Sequence, residues 1–340
     1  MILLVFLFLV NGCISQVTPG TDMSKAETLE DKNFLLIGWD GVERSHLLEL
    51  LDEKRLPNLQ KMIDEGKFVS IDITEGNTQT KPGWSQILTG YNANFLGIPS
   101  NRIYKPIPPG FTVFERVEEY FGKENIDTIF IAGKFQNLGV RGPHWICLNC
   151  SGRSATTRKK LPWWDHDNSS DNRDEKALAY REGDPYFYAK NQIDFFQNGL
   201  GNNFNVGNKA LEVLENYKEK RFFAFIHFEE PDEPGHRFGE NSDEYSNGII
   251  QNDVWLGRIV EKLKEDKIYS KTIIFVLTDH GMDEGGFYHE NAPYIFLVSS
   301  YNKLRDFGDR KDITPTILDM YGFDFETIEP PLHGKSLMIK

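Results

Sequence analysis

Along this chain, short unbroken apolar runs alternate with longer stretches of helical spacing, and three of those runs end on acids or histidines. FLLIGWDG ends on Asp40, FFAFIHFEEPDEPGH supplies Asp232 and His236, and TIIFVLTDHGM supplies Asp279 and His280. Runs of this length and composition read as strands buried on both faces, the pattern of a parallel α/β sheet. Such sheets gather their sites at the carboxyl ends of the strands, so residues far apart in sequence are expected to converge there. Phe34–Asp40 reads as one strand, residues 43–65 as an amphipathic helix, and FVSIDIT over 68–74 as a second strand.

The candidate ligands mix carboxylate with imidazole, a set that suits zinc or manganese better than calcium. In NTQTKPGWSQILTGY, Thr80 lies just before Pro82 and the apolar periodicity starts at Trp84. Proline favours the first turn of a helix, so Thr80 is expected at a helix amino terminus. It is there either an ordinary N-cap or a hydroxyl held where backbone amides stabilise an anion.

The formal charge of −13 argues against a polyanion-binding surface, so no nucleic-acid polymer is expected as a partner. A small phosphorylated substrate stays compatible, because bound cations supply local positive charge. Hydrophobic residues make up 39% of the chain, enough for a substantial core. Residues 1–13 hold MILLVFLFLVNGC, an apolar run of signal-segment length that ends on Cys13 in a lipoprotein-like context. Export is the expectation, with a membrane anchor through Cys13 and a flexible tether over 14–31. Cys147 and Cys150 form a CxxC pair that reads as a local disulfide, or as part of a metal site with His144.

Asp40, the Thr80-Lys81-Pro82 turn, Asp232-x-x-x-His236 and Asp279-His280-Gly281 resemble the alkaline phosphatase superfamily, in its type I phosphodiesterase/nucleotide pyrophosphatase branch. The resemblance covers residues 33–133 and 205–338, with 134–204 as an insertion or cap. It implies a three-layer αβα sandwich with a mainly parallel central sheet, within a catalytic domain over 32–340. It also implies two divalent metals, zinc first and manganese second, about 3.5–4 Å apart. One would be held by Asp40, Asp279, His280 and Thr80, the other by Asp232, His236 and His333. Thr80 would be the alkoxide nucleophile, passing through a phosphothreonine, with Asn101 helping to hold the phosphate oxygens. His289 lies where the phosphoglycerate mutase branch places its last histidine, and is the alternative to His333 as ligand or a contact to substrate. Lys81, Arg102 and Lys134 are cations whose reach to a phosphate the sequence leaves open. His46, His166 and His227 read as structural or surface residues.

The expected activity is hydrolysis of phosphodiesters or nucleotide pyrophosphates. A phosphomutase or phosphotransferase and a sulfatase-like hydrolase are the alternatives within the superfamily. Thr80-Lys81-Pro82-Gly83 cannot supply the cysteine or serine that a sulfatase needs. A tethered metal-binding protein without turnover is the alternative from another class. WWDHDNSSDNRDE over 163–175 lacks the glycine and terminal glutamate of a calcium loop and reads as solvated.

Overall fold

The computed structural model describes residues 29–147 and 178–339. Cys13, most of the expected tether, Cys150, His166 and the 163–175 segment lie outside the described residues, and so does any pairing of Cys147 with Cys150. Among the described residues no helix is long and apolar enough to cross a membrane.

In chain order the strands are β1 (Asn33–Trp39), β2 (Lys67–Asp72), β3 (Asp127–Ala132), β4 (His144–Cys147) and β5 (Leu178–Arg181). They continue with β6 (Phe195–Gln197), β7 (Phe222–Phe228), β8 (Thr272–Leu277), β9 (Tyr294–Ser299) and β10 (Phe307–Gly308). Eight form one sheet in the order β10-β2-β9-β8-β1-β7-β3-β6. Its pairs are parallel except those of β9, which runs antiparallel to both β2 and β8. The fold is therefore α/β with a mainly parallel central sheet.

Strand β1 shows why the pattern was legible. All seven of its residues are buried, because both faces of the sheet are covered. Phe34 and Leu36 point into a core shared with the helices Thr80–Ile87, Val113–Phe121 and Ile313–Met320. Leu35, Ile37 and Trp39 point into a second core beneath the helices Arg44–Asp52, Pro57–Glu65, Asn203–Tyr217 and Asp243–Glu265. These two cores are the outer interfaces of a three-layer αβα sandwich.

One boundary differs from the sequence expectation. The single helix expected over 43–65 is two helices, Arg44–Asp52 and Pro57–Glu65. Lys54 takes a left-handed φ of 60° between them, and Pro57 opens the second helix, where its missing N–H costs nothing. Within the stretch expected as an insertion, β6 pairs with β3 at the edge of the main sheet, and among the described residues β4 and β5 form a separate two-stranded sheet.

Candidate active site

Four adjacent parallel strands, β8-β1-β7-β3, deliver the site from their carboxyl ends. Asp40 follows β1 directly, Asp232 follows β7, Asp279 and His280 follow β8, and Lys134 follows β3. Asp232 opens the helix Asp232–Phe238 and places His236 one turn on, on the same face, so that His236 Nε2 lies 3.4 Å from Asp232 Oδ1. Thr80 is the first residue of its helix and nearly wholly buried. The N-cap position falls to Gln79 instead, and the Thr80 hydroxyl lies 3.3 Å from His280 Nε2.

Asp40 is held from behind. Its Oδ2 accepts from Trp84 Nε1 at 3.1 Å and lies 2.7 Å from His227 Nε2. Its Oδ1 faces inward, 2.7 Å from Lys134 Nζ and 3.6 Å from His280 Nε2. Burial alone would raise the Asp40 carboxyl, but Lys134, His227 and His280 outweigh it and hold this group well below the usual carboxylate range. Burial, with Asp40 and Asp232 nearby, pushes Asp279 well above that range. The His280 ring is lowered to about 3 by burial and by His289.

Two triads bring ligand atoms within 4.8 Å of one another, Asp40–Asp279–His280 and Asp232–His280–His289. Asp232 Oδ1 and Asp279 Oδ2 are buried and have no hydrogen-bond partner. Unpaired buried acceptors are costly unless a cation or donor meets them, so the residues present fit divalent metal ions. Asn101 accepts from the Lys81 amide at 2.8 Å through Oδ1, which leaves its Nδ2 hydrogens for a ligand. Thr80, Asn101, Asp232, His236 and His289 line one open pocket of about 400 Å³.

The expectation that His333 belongs to this cluster is corrected. His333 is exposed, its Nδ1 accepts from the Asn92 amide at 3.2 Å, and its ring packs on Tyr91 and Phe95. Those partners follow the carboxyl end of the Thr80–Ile87 helix, whose amino end bears Thr80. At 1.5 Å per residue the two ends of that helix lie about 10 Å apart. His289 comes to the cluster in its place, with its ring 4.1 Å from His280 and its Nε2 3.1 Å from His236 Nε2. The reason is the return of the chain from β8 into its antiparallel neighbour β9. Asp283 ties the loop by accepting from the Glu290 and Asn291 amides, which folds His289 back over the end of β8.

Of the three cations left open by the sequence, Lys134 alone reaches the site. Lys81 Nζ donates to Ile103 O and lies over the Tyr104 ring at 3.3 Å, while Arg102 is exposed. His227 is neither a surface residue nor a ligand, but the buried support of Asp40. Both Lys134 and His227 carry a faint sequence signal. Lys134 closes the run DTIFIAGK just as Asp40 closes its own, and His227 sits in the strand that leads to Asp232.

The family model for type I phosphodiesterase / nucleotide pyrophosphatase matches residues 34–303, which include Asp40, Thr80, Asp232, His236, Asp279, His280 and His289. The chain belongs to that family. The human bis(5'-adenosyl)-triphosphatase ENPP4 is 24% identical over 285 residues, 83% of this chain and 53% of that protein. The chain thus spans about half the length of the curated relatives it matches. Murine ectonucleotide pyrophosphatase / phosphodiesterase 5 superposes with a TM-score of 0.54 at 14% identity, over 86% of this chain and 96% of that one. An alkaline phosphatase superfamily protein from Vibrio parahaemolyticus does so with a TM-score of 0.55 at 17% identity, over 90% and 69%. The two superposed structures share the α/β fold of this chain. His333 lies beyond the matched residues.

Proposed function

We propose that the protein is a metal-dependent hydrolase of phosphoric esters that acts on phosphodiesters or nucleotide pyrophosphates through Thr80. The observation that carries this reading is the Thr80 hydroxyl, 3.3 Å from His280 and 3.2 Å from Lys134, at the centre of three aspartates and three histidines. One divalent ion would be held by Asp40, Asp279, His280 and the Thr80 oxygen, and a second by Asp232, His236 and His289. Bound there, such ions supply positive charge that lowers the pKa of the Thr80 hydroxyl and neutralises phosphoryl oxygens. Zinc is the assignment and manganese the second choice, because imidazole nitrogens make up half of the non-threonine donors.

Thr80 gives up its hydroxyl proton to solvent and its Oγ bonds to phosphorus, while the bond from phosphorus to the departing alcohol breaks. The alcohol oxygen takes its proton from water. A water molecule then cleaves the bond between Thr80 Oγ and phosphorus, which releases the phosphate product and restores the threonine. Asn101 Nδ2 and the Thr80 backbone amide would donate to the equatorial oxygens. Family membership and the ENPP4 relative support a nucleotide-type ester as substrate. Sequence alone supports export and a membrane tether at Cys13.

The test is hydrolysis of a chromogenic phosphodiester, phosphomonoester and sulfate ester by wild type and Thr80→Ala, with metal content quantified. Metal-dependent ester turnover that disappears with Thr80 while metal content persists supports the reading. Fully metallated wild type that turns over none of the three esters contradicts it.

A further inference from the structure

Lys134 is the residue that the ligand scheme above leaves without a task. The chain enters it through Gly133, whose amide donates to His227 O at 3.0 Å. A Cβ on Gly133 would meet Gly201 O at 2.7 Å, so this turn sits tight against its neighbours and fixes where Lys134 begins. Its ammonium then makes three contacts, the full donor capacity of a lysine. It donates to Asp40 Oδ1 at 2.7 Å, to Asp232 Oδ2 at 2.5 Å and to Thr80 Oγ at 3.2 Å.

The two aspartates divide their oxygens differently. Asp232 gives Oδ2 to Lys134 and turns Oδ1 toward His236 and His280, at 3.4 and 4.0 Å. A cation on Oδ1 therefore leaves the lysine bond in place. Asp40 has already given Oδ2 to His227 and Trp84, so Oδ1 alone remains for both Lys134 and a cation of the Asp40–Asp279–His280 triad. Filling that triad frees one lysine N–H while Asp232 keeps the side chain at Thr80. The freed donor and the one aimed at Thr80 then face the pocket that Lys134 lines.

We propose that Lys134 is a catalytic residue that donates to a non-bridging oxygen of the phosphorus attacked by Thr80, and thereby fits the site to a terminal, doubly charged phosphate as well as to a diester. The inference rests on the reading of Thr80 as the nucleophile of a phosphoric ester hydrolase. A third fixed cation beside the nucleophile favours the ligand with more charge on phosphorus, since charge-assisted hydrogen bonds strengthen with the charge they meet.

The test uses the metallated full chain with Thr80→Ala, alone and combined with Lys134→Met. Calorimetric binding of inorganic phosphate and metal content by mass spectrometry are the readouts. Loss of Lys134 is expected to weaken phosphate binding by about 10- to 100-fold with metal content unchanged. In the Thr80 background, Lys134→Met is also expected to lower kcat/KM for p-nitrophenyl phosphate more than for the bis-p-nitrophenyl diester. Unchanged phosphate affinity, or a gain in metal affinity with an unchanged ester ratio, would mean that Lys134 is only a counter-ion and would overturn the proposal. If Lys134→Met does not fold, methyl phosphate and dimethyl phosphate are compared on the Thr80→Ala protein. The dianion is expected to bind at least about tenfold more tightly, and equal affinity overturns the proposal. Failure of the underlying reading has its own signature, diester turnover that survives Thr80→Ala.

Discussion

Two buried clusters of acids and histidines lie close together in this protein, and only one of them has the form of a reaction centre. Around Asp40, Asp232 and Asp279 the carboxylate oxygens converge, two of them unpaired, behind an open pocket that Asp232 lines together with the Thr80 hydroxyl. Around Glu43, Glu240 and His46 the groups mostly satisfy one another. His46 lies 2.7 Å from Glu240 and 2.9 Å from Ser246, and Glu240 also accepts from the Gly285 amide. Glu43 Oε2 is the exception, unpaired beneath Gly281. Burial, with Glu240 nearby, pushes that carboxyl up to about 7, so it discards its charge near neutrality. Burial of acid is thus common to both regions. Convergence of several acids behind a hydroxyl that lines an opening is what separates them.

Substitutions in the two clusters are expected to act differently, on turnover in the first and on stability in the second. The largest expected effect is that of Thr80→Ala, a fall in ester hydrolysis of roughly 10³-fold or more with metal content and thermal midpoint retained. Next, His289→Ala is expected to lose one metal equivalent and most turnover, whereas His333→Ala keeps both; metal analysis of the two variants side by side decides between them. His227→Gln removes the support of Asp40 and is expected to weaken metal binding about 10- to 100-fold, read by chelator competition.

The second cluster answers in stability instead. His46→Ala removes one partner from each of Glu240 and Ser246 and is expected to cost about 1–3 kcal/mol in denaturant unfolding, with the turnover of the folded protein unchanged. The smallest effect is the most diagnostic in sign. Glu43 is raised from 4.5 to about 7, so the stability that its protonated form contributes is fully present below pH 4.5 and is lost as pH rises through 7. Glu43→Gln is therefore expected to match wild type at pH 5 and to be more stable by roughly 1–2 kcal/mol at pH 8. A penalty that is the same at both pH values would show that Glu43 is charged throughout.

Most of the fold and much of the site were legible because the strands that carry them are covered on both faces. Strands β1, β7 and β8 consequently read as apolar runs, and the polar residue that ends each run stands out against them. Other features depend on how the chain turns in space. The choice between His289 and His333 rests on the antiparallel return of β9, which no local pattern encodes. Lys134 follows its strand as Asp40 does, but a lysine carries no ligand signature, so its place among the carboxylates emerges only from the three-dimensional arrangement. The break between the first two helices was marked in the sequence by Pro57, and the amphipathic periodicity across 43–65 concealed it.

Covalent bonding of Thr80 to the phosphorus of its substrate is read by intact-mass and peptide spectrometry after rapid acid quench of wild type turning over a chromogenic phosphodiester. The expected result is a phosphoryl adduct of the substrate on the peptide that contains Thr80, absent in Thr80→Ala. Turnover with no adduct at any quench time, together with hydrolysis undiminished in Thr80→Ala, would contradict it.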